Sequence, residues 1–98
     1  MNPLELKAFI KENSRIFWWV PEEDKENMSL ESVVEAILNY GNEQSVKKLF
    51  QIVGIHQVAD IFYRQLSGPR PNYFPQVTNF FNLYFQKHAL RNPHQSPN

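Results

Sequence analysis

The sequence predicts an all-α protein, a compact array of about five short helices in a single domain. Apolar residues recur in four segments at the spacing i, i+3, i+4, i+7, which places their side chains on one face of a helix. The connections at Gly41 and Gly54 are very short, so neighbouring helices must turn back sharply on one another. A length of 98 residues suits one hydrophobic core, because two cores in so short a chain would each be marginally stable. We therefore expect one helical domain over residues 1–90.

The first predicted helix runs from Pro3 to about Asn13, and a single helical turn is expected near Pro21. The next helix begins after Ser29, whose side chain is a favourable N-cap, and it stops at Gly41. Its apolar face comprises Leu30, Val33, Val34, Ile37 and Leu38.

Two further helices are predicted on either side of Gly54. The earlier one has Asn42 as its expected cap, and the later one ends at residues 67–69, a Ser-Gly-Pro sequence that favours a turn. The apolar faces comprise Val46, Leu49, Phe50 and Val53 in the earlier helix, and Ile55, Val58, Ile61, Phe62 and Leu66 in the later one.

The last predicted helix is the most aromatic part of the chain, since residues 72–89 hold six aromatic residues and no acidic one. Pro75 lies in the first turn, where the missing N–H of a proline costs nothing. The expected core face comprises Phe74, Val77, Phe80, Phe81, Tyr84 and Phe85. The flank of the segment, chiefly Tyr73, Leu83 and Lys87, is then left for a partner.

Composition limits the compartment in which the chain is expected. It has no cysteine, so disulfides are excluded and a cytoplasmic location is expected. No membrane span is predicted, because no stretch approaches the roughly eighteen apolar residues that a spanning helix needs. The first residues lack the features of a secretory signal. Residues 91–98 have no apolar side chain to anchor them, and we expect a disordered tail.

No catalytic, cofactor-binding or metal-binding residue is predicted. The sequence has no glycine-rich phosphate loop and none of the common hydrolase or metalloprotease motifs. Its three histidines, His56, His88 and His94, stand far apart, whereas a metal site needs three or four convergent ligands. The acidic cluster at residues 22–24 lacks the order of a calcium loop. An enzyme is therefore the least favoured class.

The charge of the chain sums to zero but is unevenly distributed. Residues 20–35 hold six acids against Lys25, and residues 61–98 hold basic side chains and no acid. The two halves could pair with each other or face partners of opposite sign. The favoured alternative is that both are ordinary solvated surfaces, because surface ion pairs contribute little.

A helix-turn-helix for DNA binding remains an alternative for the two helices around Gly54. The second of them would present His56, Gln57, Asp60, Arg64 and Gln65. A recognition helix normally brings several cations to the phosphates, and here the charge of Arg64 is offset by Asp60.

The adjacent pair Trp18 and Trp19 is the strongest candidate for a protein contact. Phe17 and Trp18 are suited to filling a small core, but adjacent side chains at a helix end point about 100° apart. At least one tryptophan is therefore expected to be half exposed, and exposed tryptophan is enriched at binding hot spots. We expect Trp19 to be such an anchor, with Arg70 and Lys87 at a polar rim. The alternative is that Trp19 covers the end of its own bundle.

Four segments of the chain resemble a family of small, uncharacterised bacterial proteins. They are I-F-W-W at residues 16–19, V-V-E-A-I-L-N-Y-G at 33–41, F-Q-I-V-G at 50–54 and N-Y-F-P-Q-V-T-N-F-F-N-L-Y-F-Q-K-H-A at 72–89. Trp19 stands where the family pattern usually has Asp. The family has no established activity, and its genes often lie beside those of nucleotidyltransferase-like toxins of abortive-infection type.

The resemblance implies an antitoxin or accessory subunit that acts by binding its neighbour. Our leading hypothesis is therefore a cytoplasmic protein-interaction module whose partner is a nucleotidyltransferase-type toxin. A small DNA-binding regulator and a homodimer that pairs through its aromatic face remain the alternatives.

Overall fold

The computed structural model describes residues 3–69 and 71–89, and these residues form an all-α domain without strands. The α-helices are α1 (Pro3–Glu12), α2 (Leu30–Tyr40), α3 (Glu43–Val53), α4 (Ile55–Leu66) and α5 (Pro75–His88). Two 3-10 helices, Ser14–Phe17 and Glu22–Asn27, connect α1 to α2. The predicted fold class is confirmed. Arg70 and the tail predicted for residues 91–98 lie outside the described residues.

Side-chain caps define where α2 and α3 begin. The Ser29 hydroxyl accepts a hydrogen bond from the backbone N–H of Ser32 at 3.1 Å. The Asn42 carboxamide oxygen accepts one from the N–H of Ser45 at 2.8 Å. Each bond satisfies a donor that the first turn of a helix leaves without a partner. Both caps were predicted from the residue type alone, because capping depends only on neighbouring residues.

The two glycines that end α2 and α3 are required for different reasons. Gly41 has an ordinary backbone conformation, but a Cβ added there would lie 2.6 Å from the carbonyl oxygen of Ile37. Gly54 has open space around it and a φ of +97°, a conformation that residues with a Cβ rarely adopt. One glycine therefore permits a close approach and the other permits a sharp reversal into α4.

The centre of the domain is α2, which packs against α3, α4 and the first 3-10 helix. Its buried residues are Val33, Val34, Ala36, Ile37 and Leu38. Together they form a broad buried face of the helix. Glu35, Asn39 and Tyr40, which also belong to α2, remain partly or largely accessible.

Aromatic packing holds α5 against α4. Phe62 of α4 is fully buried, and its ring centroid lies 5.3 Å from that of Phe85 and 6.3 Å from that of Phe81. Phe50 of α3 contacts the same helix, with its ring stacked on Tyr84 at 5.7 Å. Such offset or inclined ring pairs contribute beyond the area they bury. The last helix is thus held mainly by rings.

The predicted core face of α5 was too wide. Phe81 and Phe85 are buried and Val77 and Tyr84 are partly buried, but Phe80 is 58% exposed and Phe74 is also exposed. Successive residues on a helix are about 100° apart, so Phe80 lies well to the side of the line through Phe81 and Phe85. Phe74 precedes the helix as its N-cap and has an extended backbone. The spacing of apolar residues alone therefore did not predict which residues at the edges of this face are buried.

We expect Phe62→Ala to lower the free energy of unfolding by about 3–5 kcal/mol, because it leaves a cavity at the junction of α4 and α5. Urea denaturation followed by circular dichroism measures this loss. If the alanine variant does not fold, Phe62→Leu should fold with a smaller loss. The control is Phe80→Ala, for which we expect a change within about 1 kcal/mol because the ring is exposed. Equal losses at the two positions would contradict this account of the core.

Candidate functional site

Four exposed aromatic residues form a continuous surface feature, which we call the aromatic strip: Trp18, Trp19, Tyr40 and Phe74. Their ring centroids are 5.6 Å apart from Trp18 to Trp19, 5.9 Å from Trp19 to Tyr40 and 5.5 Å from Tyr40 to Phe74. The exposed fraction is 73% for Trp18 and 43% for Trp19. A run of large apolar side chains in mutual contact at the surface is typical of an interaction site.

The buried ring of Phe17 anchors one end of the aromatic strip. Phe17 ends the first 3-10 helix and is fully buried, and its ring meets that of Trp19 edge-on at 6.4 Å. A backbone hydrogen bond of 2.9 Å from Val20 N–H to the Phe17 carbonyl closes the turn that carries both tryptophans. Both tryptophans are exposed, and Trp18 does not fill the core, because the 3-10 helix ends at Phe17 and the turn directs Trp18 outward.

Hydrogen bonds from Asn39 hold the other end of the strip. Its carboxamide oxygen accepts from the backbone N–H of Phe74 at 3.2 Å, and its amide nitrogen donates to the carbonyl of Asn72 at 3.1 Å. These bonds attach the segment before α5 to the end of α2. They bring Phe74 beside Tyr40, although the two residues are far apart in the sequence.

A cavity of about 230 Å³ opens beside the strip, and we call it the Glu35 pocket. Among the residues that line it are Trp18, Trp19, Tyr40, Glu35, Asn39 and Asn72. The amide of Asn72 donates to Oε2 of Glu35 at 3.1 Å, which fixes the orientation of the carboxylate. Three aromatic rings and one acid thus border the same concavity.

Trp19, the predicted anchor, is exposed and lies within the aromatic strip. Tyr73, predicted to lie on an exposed flank, is only 8% exposed, so that expectation is wrong. Its ring packs on Phe62 at 4.9 Å and its hydroxyl donates to the side-chain oxygen of Gln65. The segment before α5 turns back onto α4 at this residue, which a helical projection cannot show. Arg70 lies outside the described residues.

Leu83 and Lys87 are exposed on α5, as predicted, but they are distant from the strip. A helix rises about 1.5 Å per residue, so Leu83 and Lys87 lie roughly 14 and 20 Å along the axis from Phe74. The structure therefore does not bring them together with Trp19 in one small site.

Sequence analysis did not identify Tyr40, Phe74 or Glu35 as site residues. Tyr40 follows Val33 by seven residues and Ile37 by three, so helical spacing places it with the apolar face and gave no signal of its exposure. The position of Phe74 directly before Pro75 was a usable signal, because a residue before proline is biased away from the helical conformation. Nothing local indicated Glu35, since Trp18, Trp19 and Asn72 reach the pocket from other segments of the chain.

A second apolar feature, which we call the α3–α5 groove, encloses about 470 Å³. Its apolar lining includes Val46, Phe50, Val77, Phe80, Phe81 and Tyr84. The charged residues beside it, Glu43 and Lys47, pair with each other at 3.0 Å. The groove is larger than the Glu35 pocket, but its own charges are already neutralised.

The exposed face of α4, the candidate recognition helix, offers little free positive charge. Arg64 is bound to Asp60 at 3.1 Å. Gln65 donates to the carbonyl of Glu31 at 3.0 Å and accepts from Tyr73, so its side chain is engaged within the domain. His56 and Gln57 are exposed.

The ion pairs formed by Lys25, Lys47 and Arg64 are local, since each lies within one helix. Besides those already given, Lys25 pairs with Glu22 at 3.1 Å, and none of these pairs joins the acidic segment to the basic one. Within residues 3–69 and 71–89 there is also no group of three or more acids and histidines placed to hold a metal ion. No described helix is long and apolar enough to cross a membrane.

Comparisons with protein-family models, with curated proteins and with solved structures give no match for this chain.

The burial of Tyr73 generates a pH-dependent contribution to stability. Burial raises the pKa of this phenol above its ordinary value, and the negative charge of Glu35 raises it further. The unfolded chain loses the phenolic proton from about pH 10 upward while the folded chain retains it, so the contribution is complete below about pH 10 and is lost above it.

We therefore expect the free energy of unfolding to fall above about pH 10 by up to roughly 1.4 kcal/mol per pH unit on account of this residue. Tyr73→Phe should remove that component, and urea denaturation at several pH values from about 9 to 11.5 measures it. Leu83→Ala, which removes an exposed side chain without a titratable group, should keep the wild-type pH dependence. Parallel pH profiles for the wild type and Tyr73→Phe would contradict the prediction.

Proposed function

We propose that this chain is a non-enzymatic interaction module that binds a protein partner through the aromatic strip. The observation that carries the proposal is the unbroken contact of four exposed rings from Trp18 to Phe74. Tryptophan and tyrosine are the residues most enriched at binding hot spots, because each buries a large area with few rotatable bonds.

The rigidity of the strip supports the same function. Trp19 rests against the buried ring of Phe17, and Phe74 is attached to α2 through Asn39. Side chains that are ordered before binding lose less conformational entropy when a partner covers them. The strip thus has both the composition and the preorganisation of a protein-binding surface.

Among partner classes, a protein is better supported than DNA. The exposed face of α4 presents Arg64 already paired with Asp60, and DNA binding depends on cations that are free to contact phosphates. The family resemblance adds a more specific candidate, a nucleotidyltransferase-type toxin encoded beside this chain. In that arrangement the module would act by covering a surface of its neighbour.

We expect Trp19→Ala to weaken binding to the partner by about tenfold or more, because the substitution removes the ring at the middle of the strip. The measurement is calorimetry with the purified protein encoded by the adjacent gene, after circular dichroism has shown that the variant is folded. Leu83→Ala is the matched control, since it removes an exposed side chain of α5 outside the strip, and we expect it to bind like the wild type.

An unchanged affinity for Trp19→Ala would overturn the assignment of the strip. Retention on duplex DNA that falls steeply between low and moderate salt would favour the regulator instead. If the wild type sediments as a dimer and the Trp19→Ala variant as a monomer, the strip binds a second copy of the chain.

A further inference from the structure

The Glu35 pocket combines two features that recognise organic cations. The rings of Trp18 and Trp19 are inclined to each other at 85°, and those of Trp19 and Tyr40 at 58°. Because the neighbouring rings are steeply inclined and all three line the pocket, they form the walls of a concavity. The faces of such rings attract a positive charge within about 6 Å, most strongly for tryptophan.

The carboxylate of Glu35 supplies the second feature. Oε2 is held by the amide of Asn72, and no lysine or arginine among the described residues forms an ion pair with Glu35. Glu35 is partly accessible and three aromatic rings line the same pocket, so a ligand that enters the pocket meets the carboxylate beside apolar surface. An ordered acid without a counter-charge is complementary to a cation brought by a ligand.

The surrounding sequence has the same sign of charge. Residues 14–36 contain six acids against Arg15 and Lys25. The ammonium of Lys25 is bound to Glu22 at 3.1 Å and to the carbonyl of Ser14 at 3.2 Å. The net negative charge of this segment favours the approach of a cationic ligand to this part of the chain.

The polar groups of the pocket favour a guanidinium over a quaternary ammonium. A guanidinium is planar, stacks on aromatic rings and has N–H donors for the free Oε1 of Glu35, whereas a quaternary ammonium has no donor. A cavity of about 230 Å³ can also hold one side chain of a partner, but it is too small for a larger ligand. The geometry points to an arginine side chain presented by a protein partner as the occupant of the Glu35 pocket. This assignment rests on the proposed function, since it names the group of the partner that the strip recognises.

Titration of the isotope-labelled full-length chain with N-acetyl-L-arginine amide tests the assignment. The chain has two tryptophans, so the indole N–H resonances of Trp18 and Trp19 report directly on the pocket. We expect both resonances to shift in a saturable manner at millimolar ligand concentration. N-acetyl-L-citrulline amide, which has nearly the same shape without the charge, should produce no saturable shift. The absence of a response to the arginine amide would overturn the assignment.

The matched variant is Glu35→Gln, which keeps the size of the side chain and removes its charge. We expect it to weaken binding of the arginine amide by about fivefold or more, given the modest strength of a partly exposed ion pair. Equal affinity in this variant would show that the carboxylate does not recognise the cation. Choline binding as tightly as the arginine amide would also overturn the assignment, because it would show that hydrogen bonding by the guanidinium contributes nothing.

Measuring partner binding in the Trp19→Ala and Glu35→Gln variants distinguishes a failure of the arginine assignment from a failure of the proposed function. If Trp19→Ala abolishes partner binding while Glu35→Gln leaves it unchanged, the interaction module stands and the arginine assignment fails. If Trp19→Ala leaves partner binding unchanged, the proposed function fails whatever the titration shows. Loss of partner binding in both variants, together with the response to the arginine amide, is the result we expect.

Discussion

The contact of Tyr73 with Phe62 fixes the geometry on which the surface of this protein depends. Phe62 is fully buried in α4, and the ring of Tyr73 packs on it at 4.9 Å. Tyr73 stands between Asn72 and Phe74, so its burial determines where both neighbours can lie. With the tyrosine turned inward, Asn72 reaches Glu35 and the backbone of Phe74 reaches Asn39. A residue of the core thereby positions the exposed strip and the pocket beside it.

The distribution of rings follows from the size of the domain. A protein of 98 residues has a high ratio of surface to volume, and five short helices cannot cover all of its large side chains. The fully buried rings of the core are those of Phe9, Phe17, Phe62 and Phe85. Phe17 and Trp19 are neighbours in the same turn, yet one is buried and the other is exposed. Exposure at the strip is thus the result of how the first 3-10 helix ends and of the hydrogen bonds made by Asn39.

The features that sequence analysis predicted are those set by neighbouring residues. Ser29, Asn42, Gly41 and Gly54 mark the ends of helices through caps and backbone conformations that involve only a few adjacent residues. The prediction for Tyr73 failed because its environment comes from α4 and from the reversal of the chain after residue 69. The pocket was missed for the same reason, since the bond between Asn72 and Glu35 joins distant parts of the chain. The local sequence pattern identifies helices, whereas contacts between helices determine which helix faces remain exposed to solvent.

The two apolar features of the surface differ in what their charges can do. At the α3–α5 groove the charges of Glu43 and Lys47 neutralise each other, so a ligand there would be selected by shape and hydrophobicity alone. At the strip, the carboxylate of Glu35 has no cationic partner among the described residues, and its position is set by Asn72. Burial of hydrophobic surface contributes affinity but little preference for one orientation of the partner. A charge held in one position beside that surface favours a single orientation. A ligand that covered the strip without bringing a cation would leave that charge partly desolvated and unpaired, and this penalty would select against it. The combination of rings and one ordered acid therefore gives the strip a basis for specificity that the larger groove lacks.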